Sequence, residues 1–273
     1  MDLNMCDSAM VRQNLDYLEQ RFGAFVVREA FCNHSELLVA GTKGDAATEG
    51  ETGRIFPNAF TTVVASKPHG RYVLPMRYQL WPSNQTNDPQ RLSLYNARLD
   101  RLQTPFWRPL FMARHGLIVI DCFYEWVKVG DLLKAGQISD AEIRSLLERK
   151  TLERKEKIDR SGKRYRLTQA EKLPFEDRKV IISFSPSADG QTLLVPVLWA
   201  ERQVNSGVKL RSFAVITKDP PAEVAAAGHH RCPIILSDAE AAHFLNCFDC
   251  DSKAMFNLLE TAAAPTLVHR LAS

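Results

Sequence analysis

Three apolar runs rich in β-branched and aromatic residues follow one another with only turn signals between them. These runs cover residues 180–184, 193–199 and 211–217. Earlier runs of the same kind cover residues 59–65, 72–81 and 117–127. Each has the length and composition of a β-strand, and no regular strand-helix alternation or glycine-rich phosphate loop occurs. We therefore exclude a doubly wound parallel sheet and predict an α+β fold around a largely antiparallel sheet.

Helical patterns surround these strand-like runs. Apolar residues recur at helical spacing over 10–23, which Gly23 closes, and Pro105 opens a short helix over 104–114. Further helices are predicted over 222–227 and 237–245, with a short strand over 233–236 between them. We therefore expect the helices to lie at the periphery of the sheet.

The segment from 130 to 178 differs in character from the rest of the chain. It is charged and helical in pattern, and Ser139 and Glu142 are spaced as a helix-capping box. Residues 140–179 hold 13 Lys or Arg against 9 Asp or Glu. We predict a charged helical insertion, whose usual role is a solvated surface.

Composition limits the class of protein. With 273 residues, of which 45% are hydrophobic, the chain can bury a sizeable core. It has no apolar stretch of about 20 residues and no signal-peptide pattern at its start, so we expect it to stay inside the cell.

The six cysteines are scattered and are expected to be free thiols, with Cys247 and Cys250 as a structural CxxC pair. A net charge of +3 does not by itself indicate nucleic-acid binding.

One carboxylate lies in an unusual setting, the sequence Cys122-Phe123-Tyr124-Glu125-Trp126 at the end of an apolar strand. If Glu125 is buried, it will be hard to ionise, which raises its pKa toward the range useful for proton transfer. The alternative is a solvent-facing Glu, because strand alternation places Phe123 and Glu125 on the face opposite to their neighbours. Both interpretations remain open from this segment alone.

Several short motifs extend the pattern along the chain. They are Met5-Cys6, Pro75-Met76-Arg77-Tyr78-Gln79-Leu80-Trp81-Pro82-Ser83, Asn96-Ala97-Arg98, Phe123-Tyr124-Glu125-Trp126, Leu198-Trp199 and His229-His230-Arg231-Cys232-Pro233. In this order and spacing they make the chain resemble the SOS response-associated peptidase (SRAP) family, whose members shield abasic sites in single-stranded DNA. The resemblance implies a single domain over 1–273 with a barrel-like β core and peripheral helices, the 130–178 insertion lying within it.

The resemblance also implies a chemistry for Cys6. An N-terminal cysteine carries a thiol and an amine two carbons apart, and the amine, with a pKa of about 7.7 to 8.0, is substantially neutral in the cell. The amine can form a Schiff base with the ring-opened sugar of an abasic site. The thiol then closes onto it as a five-membered thiazolidine, a step favoured by proximity.

Other residues receive roles from the same resemblance. Glu125 is the implied general acid and base, His229 the group that assists sugar opening, and Asn96 the group that orients the intermediate. Guanidinium groups hold phosphates or brace a site, and aromatic rings stack on bases. The DNA-binding residues implied in this way are Arg77, Tyr78, Trp81, Arg98 and Arg231.

The chain departs from the family pattern near its start. Met1-Asp2-Leu3-Asn4 precede Met5, and while they stay attached the nitrogen of Cys6 is an amide. We expect translation to start at Met5 or the leader to be removed. Asp7-Ser8 stands where the family has Gly-Arg, and Cys232 replaces a methionine.

Three functions follow as hypotheses. The leading one is a DNA-protein crosslinking enzyme that captures abasic sites through Cys6. The alternatives are a cysteine peptidase with Cys6 as nucleophile and His229 as base, and a non-covalent reader of single-stranded or modified DNA. We expect no metal, no cofactor and no membrane. The expected partner is abasic single-stranded DNA, bound by a monomer in the cytoplasm and at the nucleoid after damage.

Overall fold

The computed structural model describes residues 8–32, 52–81, 94–136, 138–203, 209–247 and 251–272. Its strands are β1 (Ser8–Arg12), β2 (Phe25–Val26), β3 (Thr52–Ile55), β4 (Phe60–Lys67), β5 (Gly70–Tyr78), β6 (Asn96–Arg98), β7 (His115–Lys128), β8 (Lys179–Pro186), β9 (Leu193–Gln203), β10 (Lys209–Lys218), β11 (Cys232–Pro233) and β12 (Leu267–Leu271). Its α-helices are α1 (Leu15–Phe22), α2 (Arg28–Cys32), α3 (Arg108–Ala113), α4 (Val129–Ala135), α5 (Asp140–Arg160), α6 (Gln169–Lys172), α7 (Ala222–Ala226), α8 (Asp238–Asn246) and α9 (Ser252–Thr261).

Five of the strands close into a barrel. β4 pairs with β5 and β7, β7 pairs with β9, β9 pairs with β10, and β10 returns to β5. Only the β10 pairings to β5 and β6 and the β2 pairing to β5 are parallel among the described strands. The predicted α+β fold with a largely antiparallel, barrel-like core and peripheral helices is therefore confirmed.

Apolar side chains form two cores, one on each side of the barrel wall. Phe123, Val195 and Phe213 belong to the cluster inside the barrel. Phe111 and Phe244 belong to a second cluster that joins the outer face of the wall to the helices around it. Because β7 contributes to both clusters, its side chains are buried on both faces, and hydrophobicity alone does not show which face a given residue takes.

The N-terminal strand corrects one of the sequence predictions. Residues 10–12, which the helical spacing assigned to a helix, belong to β1, and α1 begins only at Leu15 with Asn14 as its N-cap. The strand forms because it pairs with β3 on one side and with β7 on the other. Pairing partners far away in the sequence thus override the local helical spacing.

The region around β11 and the C-terminal segment also differ from the prediction. The strand predicted over 233–236 is reduced to β11, with a single bridge between Leu194 and Leu236 beyond it. Helix α9 and strand β12 had no counterpart in the prediction, and β12 pairs with β8. The turn signal between the runs 193–199 and 211–217, Asn205-Ser206-Gly207, lies outside the described residues.

Three helices connect β7 to β8 in the segment predicted as an insertion. α4 follows β7 directly, and α5 is opened by the capping box of Ser139 and Glu142. The buried residues of α5 are Ile143 and Leu146, so only its first half packs on the body of the protein. Within the described ranges, every helix is too short or too polar to cross a membrane.

Candidate active site

A β-bulge in β7 turns Glu125 toward the barrel interior. Met10 pairs with Cys122 and Val11 with Ile120, so Asp121 is an extra residue on β7. Arg12 Nε donates a hydrogen bond of 2.7 Å to the Asp121 carboxylate and so holds the bulged residue. Before the bulge Ile120 faces the interior, and after it the odd-numbered residues do so. Without the extra residue Glu125 would point to the outer face.

Glu125 is only 1% exposed, so the solvent-facing interpretation is wrong. Its burial does not come from its aromatic neighbours in the sequence, since Trp126 is 42% exposed on the opposite face. It comes from the interior position next to Phe123, which is likewise 1% exposed. A buried carboxylate requires a hydrogen-bonding or charged partner.

His229 supplies a partner for Glu125. Nε2 of His229 lies 2.9 Å from Oε2 of Glu125, and both side chains are almost completely buried. On the other side of the ring, Nδ1 lies 2.7 Å from the carbonyl oxygen of Arg231 and donates its proton there. Nε2 is thereby left to share one proton with the carboxylate. The pair is therefore a proton-holding unit, brought together from residues about a hundred positions apart.

The pairing should make folding stability depend on pH. Burial lowers the pKa of His229, but the hydrogen bond and negative charge of Glu125 outweigh this, and the folded-state pKa is raised above 6.5. The contribution of His229 to stability is then complete below pH 6.5 and is lost as the pH rises through the folded pKa. We expect the free energy of unfolding in urea to fall over that interval in the unmodified protein. His229→Gln should lack this fall, and equal pH profiles for the two proteins would contradict the pairing.

A glycine lets the His229 loop pack against α4. Gly228 has φ +88°, and a Cβ placed on it would lie 2.6 Å from Cβ of Asp131. Such an approach is closer than non-bonded carbons tolerate. The start of the predicted insertion therefore lies directly against the loop that carries His229.

We expect Gly228→Ala to be distinctly destabilising. The positive φ and the overlap with Asp131 should together lower the free energy of unfolding by more than about 2 kcal/mol. Gly136→Ala is a matched control, because Gly136 also has a positive φ of +70° but no atom within 4 Å of the new Cβ. Urea denaturation should show a larger loss for Gly228→Ala, and Asp131→Gly should restore part of it. Equal losses in the two single variants would argue against the close approach.

Asn96 occupies the strand beside the same interior. It pairs with Val215 of β10, and Val215 lines a small cavity together with Ser8, Phe123 and Pro233. Asn96 is 6% exposed, and neither its amide oxygen nor its nitrogen has a hydrogen-bond partner within the part of the chain that the structure describes. Unsatisfied buried amides are costly, so this side chain is suited to bind a ligand or water.

Two predicted phosphate-binding arginines lie close together at the end of β10. Arg231 donates to the carbonyl of Thr217 at 2.8 Å and to the carboxylate of Asp219 at 3.0 Å. Arg98, which pairs with Thr217 across β6, holds Asp100 by two hydrogen bonds and is about half exposed. Burial first, and then the positive charge of Arg98, lower the pKa of Arg231. Arg231 thus braces the site, while Arg98 presents an accessible guanidinium.

The structure corrects two of the predicted DNA contacts. Arg77 is 2% exposed and donates to the side chains of Asn58 and Gln79. Tyr78 is 3% exposed and stacks on Phe213 with 5.2 Å between ring centroids. Both are interior positions, because β5 is a barrel strand with few exposed side chains. A buried guanidinium and a buried ring cannot touch DNA from these positions.

Trp81 remains at the surface end of the same motif. Its ring is half-buried, lies 4.3 Å below the guanidinium of Arg202, and has no partner for Nε1 among the described residues. Sequence reasoning did not identify Arg202, because this residue belongs to no motif and lies far from Trp81 in the sequence. An aromatic ring with an adjacent guanidinium is suited to stacking with a base beside a phosphate.

A second arginine missed by sequence reasoning is Arg54 on β3. Its guanidinium donates to Ser8 Oγ at 3.1 and 3.0 Å and lies 3.7 Å above the ring of Tyr124. Ser8 in turn pairs with Tyr124, the residue before Glu125. Arg54 therefore anchors the first residue of β1 next to the buried pair. Cys6 and Asp7 lie outside the described residues.

The described cysteines offer no competing nucleophile in the barrel. Cys32, Cys122 and Cys232 are free thiols, as expected, but Cys247 is disulfide-bonded, which corrects the expectation of a free thiol there. Burial, and then the charge of Glu125, raise the pKa of Cys232 far above its ordinary value. Cys232 is therefore protonated and unreactive. The described residues contain no group of three potential metal ligands.

Comparisons with known proteins agree with this architecture. Residues 5–271 match the sequence profile of the family described as SOS response associated peptidase (SRAP). A crystal structure from Bacteroides thetaiotaomicron is similar with a TM-score of 0.63 and 14% identity, over 98% of this chain and 92% of that one. One from Bordetella bronchiseptica has a TM-score of 0.58 and 14% identity, over 98% and 100% of the two chains. A phage-related protein of the same organism has a TM-score of 0.56 and 13% identity, over 98% and 94%. No curated protein matches the chain.

Proposed function

The chain belongs to the SOS response associated peptidase family, and we propose that it captures abasic sites in single-stranded DNA through a covalent link to Cys6. The family name connects the chain with the response to DNA damage and with a peptidase-like activity. The proposal of covalent capture rests on the buried contact between Glu125 and His229, which lies beside Ser8, the first residue of β1.

The position of Ser8 limits where Cys6 can be. Consecutive Cα atoms are 3.8 Å apart, so the Cα of residue 6 lies within about 8 Å of that of Ser8. Ser8 pairs with the residue before Glu125 and is 2% exposed at the cavity that Phe123 and Val215 also line. This short connection to Ser8 supports the proposal that Cys6 acts together with the Glu125–His229 pair.

The proposed reaction has two bond-forming steps. The free amine of Cys6 attacks the aldehyde of the ring-opened sugar, and the resulting carbinolamine loses water to form an imine. The thiol then adds to the imine carbon, its proton passes to the nitrogen, and a thiazolidine ring closes. Loss of water needs an acid, and the later reversal needs a base. The Glu125–His229 pair supplies both functions, because it gives up its shared proton as the acid and takes a proton back as the base.

The remaining polar groups position the substrate in this proposal. Asn96 binds the opened sugar through its unsatisfied amide, and Arg98 holds a phosphate outside the barrel. Trp81 and Arg202 contact a neighbouring base and its phosphate. Arg231 acts indirectly, because its carbonyl oxygen fixes the His229 ring and its guanidinium is bound to Thr217 and Asp219.

A peptidase step is the second candidate function. Removal of residues 1–5 would create the free amine, and the family profile begins to match at Met5. The buried histidine-carboxylate pair near β1 is suited to assist attack by the Cys6 thiol on the preceding peptide bond. We propose that this self-removal precedes capture, and that the mature protein acts as a monomer in the cytoplasm on damaged nucleoid DNA.

The test is incubation of a chain that begins at Cys6 with an oligonucleotide in which a glycosylase has converted one uracil to an abasic site. We expect a heat-stable protein-DNA band on a denaturing gel. The undamaged oligonucleotide should give none. Salt-sensitive binding without any covalent band would instead indicate a non-covalent reader.

A further inference from the structure

The far end of α5 and the segment that follows it carry a strong local excess of positive charge. Residues 154–166, called here the basic tip, hold seven Lys or Arg and two acidic residues. The whole chain has a net charge of +3, so the rest of the protein is slightly negative. Charge this concentrated on one exposed segment is typical of a surface that binds an anionic polymer.

Side-chain contacts tie the basic tip to the residues at the start of α6. Arg154 pairs with the carboxylate of Glu171 and donates to the carbonyl of Arg166 at 2.8 Å. The hydroxyl of Tyr165 donates to Glu171 at 2.6 Å, and its ring lies 4.9 Å below the Arg154 guanidinium. Thr168 and Glu171 close the turn with a capping box at α6. A surface that is ordered in advance loses less entropy on binding.

Helix capping does not account for all of this charge. Lys157 and Arg160 lie in the last turn of α5, where cations stabilise the helix dipole. Lys163, Arg164 and Arg166 come after the helix, are exposed, and have no ion pair within the described ranges. These three cations do not stabilise the fold through any contact of their side chains in the structure.

The helix connects the basic tip to the start of β1. Lys150, near the middle of α5, donates to the carbonyl of Ala272 at 3.3 Å, and burial, Arg149 and the nearby charge of Arg54 lower its pKa. Arg54 is the residue that binds Ser8. From Lys150 to Arg160 the helix rises about 15 Å, so the basic tip lies well away from the contact with Ala272.

We propose that the basic tip binds the phosphate backbone of single-stranded DNA at a distance from the captured site. The location relative to the lesion rests on the proposed function, whereas binding to DNA phosphates does not. The three cations beyond the helix each contact a phosphate, and the tied turn holds them in position. The insertion thus adds phosphate contacts that do not depend on the base sequence of the DNA.

The test compares two triple variants of the full chain with the same change in charge. Lys163→Gln, Arg164→Gln and Arg166→Gln remove the tip cations. Arg28→Gln, Arg108→Gln and Lys253→Gln remove three exposed cations elsewhere. Fluorescence anisotropy measures the affinity for an undamaged 20-nucleotide single strand between 50 and 200 mM salt. Three lost phosphate contacts should lower the slope of log affinity against log salt by about 2 and weaken binding by at least about tenfold.

The outcomes separate this proposal from the proposed function. A reduced slope in the tip variant alone supports phosphate binding by the tip. Equal slopes in the two variants would overturn it. So would a tip variant that loses affinity for polyglutamate of the same length but keeps its affinity for the DNA strand. Covalent capture is measured separately with the unmodified chain that begins at Cys6. If the unmodified chain captures an abasic site but the two variants have equal salt slopes, only DNA binding by the basic tip is refuted. If the tip variant has a reduced slope but no abasic site is captured, only the crosslinking function is refuted.

Discussion

Cys6→Ala should form no heat-stable adduct with an abasic oligonucleotide. In the proposed reaction the thiol is the group that converts a reversible imine into a closed ring. Alanine keeps the α-amine but has no nucleophile two carbons from it. The expected effect is therefore complete loss of the band on a denaturing gel, the largest effect of any single substitution in this protein.

Borohydride reduction separates the contributions of the amine and the thiol. Cys6→Ala, prepared with residue 6 at its N-terminus, should give a covalent band when borohydride is present, because the reductant traps the imine. A chain in which residues 1–5 remain joined to Cys6 should give no band with or without borohydride, since its nitrogen is an amide. An adduct of normal yield from either protein without reductant would contradict capture through the N-terminal cysteine.

Glu125→Gln should slow adduct formation by roughly 100-fold to 10,000-fold, the range in which positioned acid-base groups act. Glutamine preserves the volume of the side chain but cannot share a proton with Nε2 of His229. Single-turnover rates on the chain that begins at Cys6 measure this effect. Glu260→Gln, which makes the same chemical change at an exposed position, is the matched control and should retain the parental rate.

The 2.9 Å contact between Glu125 and His229 also predicts how the rates of single and double variants compare. Because the two side chains share one proton, His229→Gln should produce a loss similar to that of Glu125→Gln. The double variant should lose little more than either single variant. Additive losses would indicate two independent groups rather than one unit. Mass spectrometry of full-length Glu125→Gln should in addition find the leader retained, if the pair assists its removal.

The strands of the barrel and the neighbouring strand β8 were largely predictable from the sequence. The runs that became β4, β5, β7, β8, β9 and β10 combine β-branched and aromatic residues with clear turn signals, and these propensities agree with the tertiary pairing. β1 was not predictable in this way. Its residues have helical spacing, and only the pairing with β3 and β7 makes it a strand.

The site was predictable in its residue types more than in its geometry. The motifs pointed to Glu125, His229 and Asn96, and the structure brings the first two into contact and places the third beside the same cavity. Arg54 and Arg202 carry no sequence motif, because their relevance lies in contacts with Ser8 and Trp81 across the sheet. Arg77 and Tyr78 belong to a motif but are buried, since a motif does not specify the exposure of a side chain.

The sequence by itself determined the candidate reactive groups, most of the strand-forming segments and the charge of the basic tip, since these depend on local composition and short-range order. Only the tertiary structure decided which way Glu125 points, because a single bulged residue at Asp121 reverses the alternation of β7. The tertiary structure also decided that His229 meets Glu125, through a glycine that lets its loop approach α4. Both outcomes depend on contacts between distant segments, and one residue of register is enough to change them.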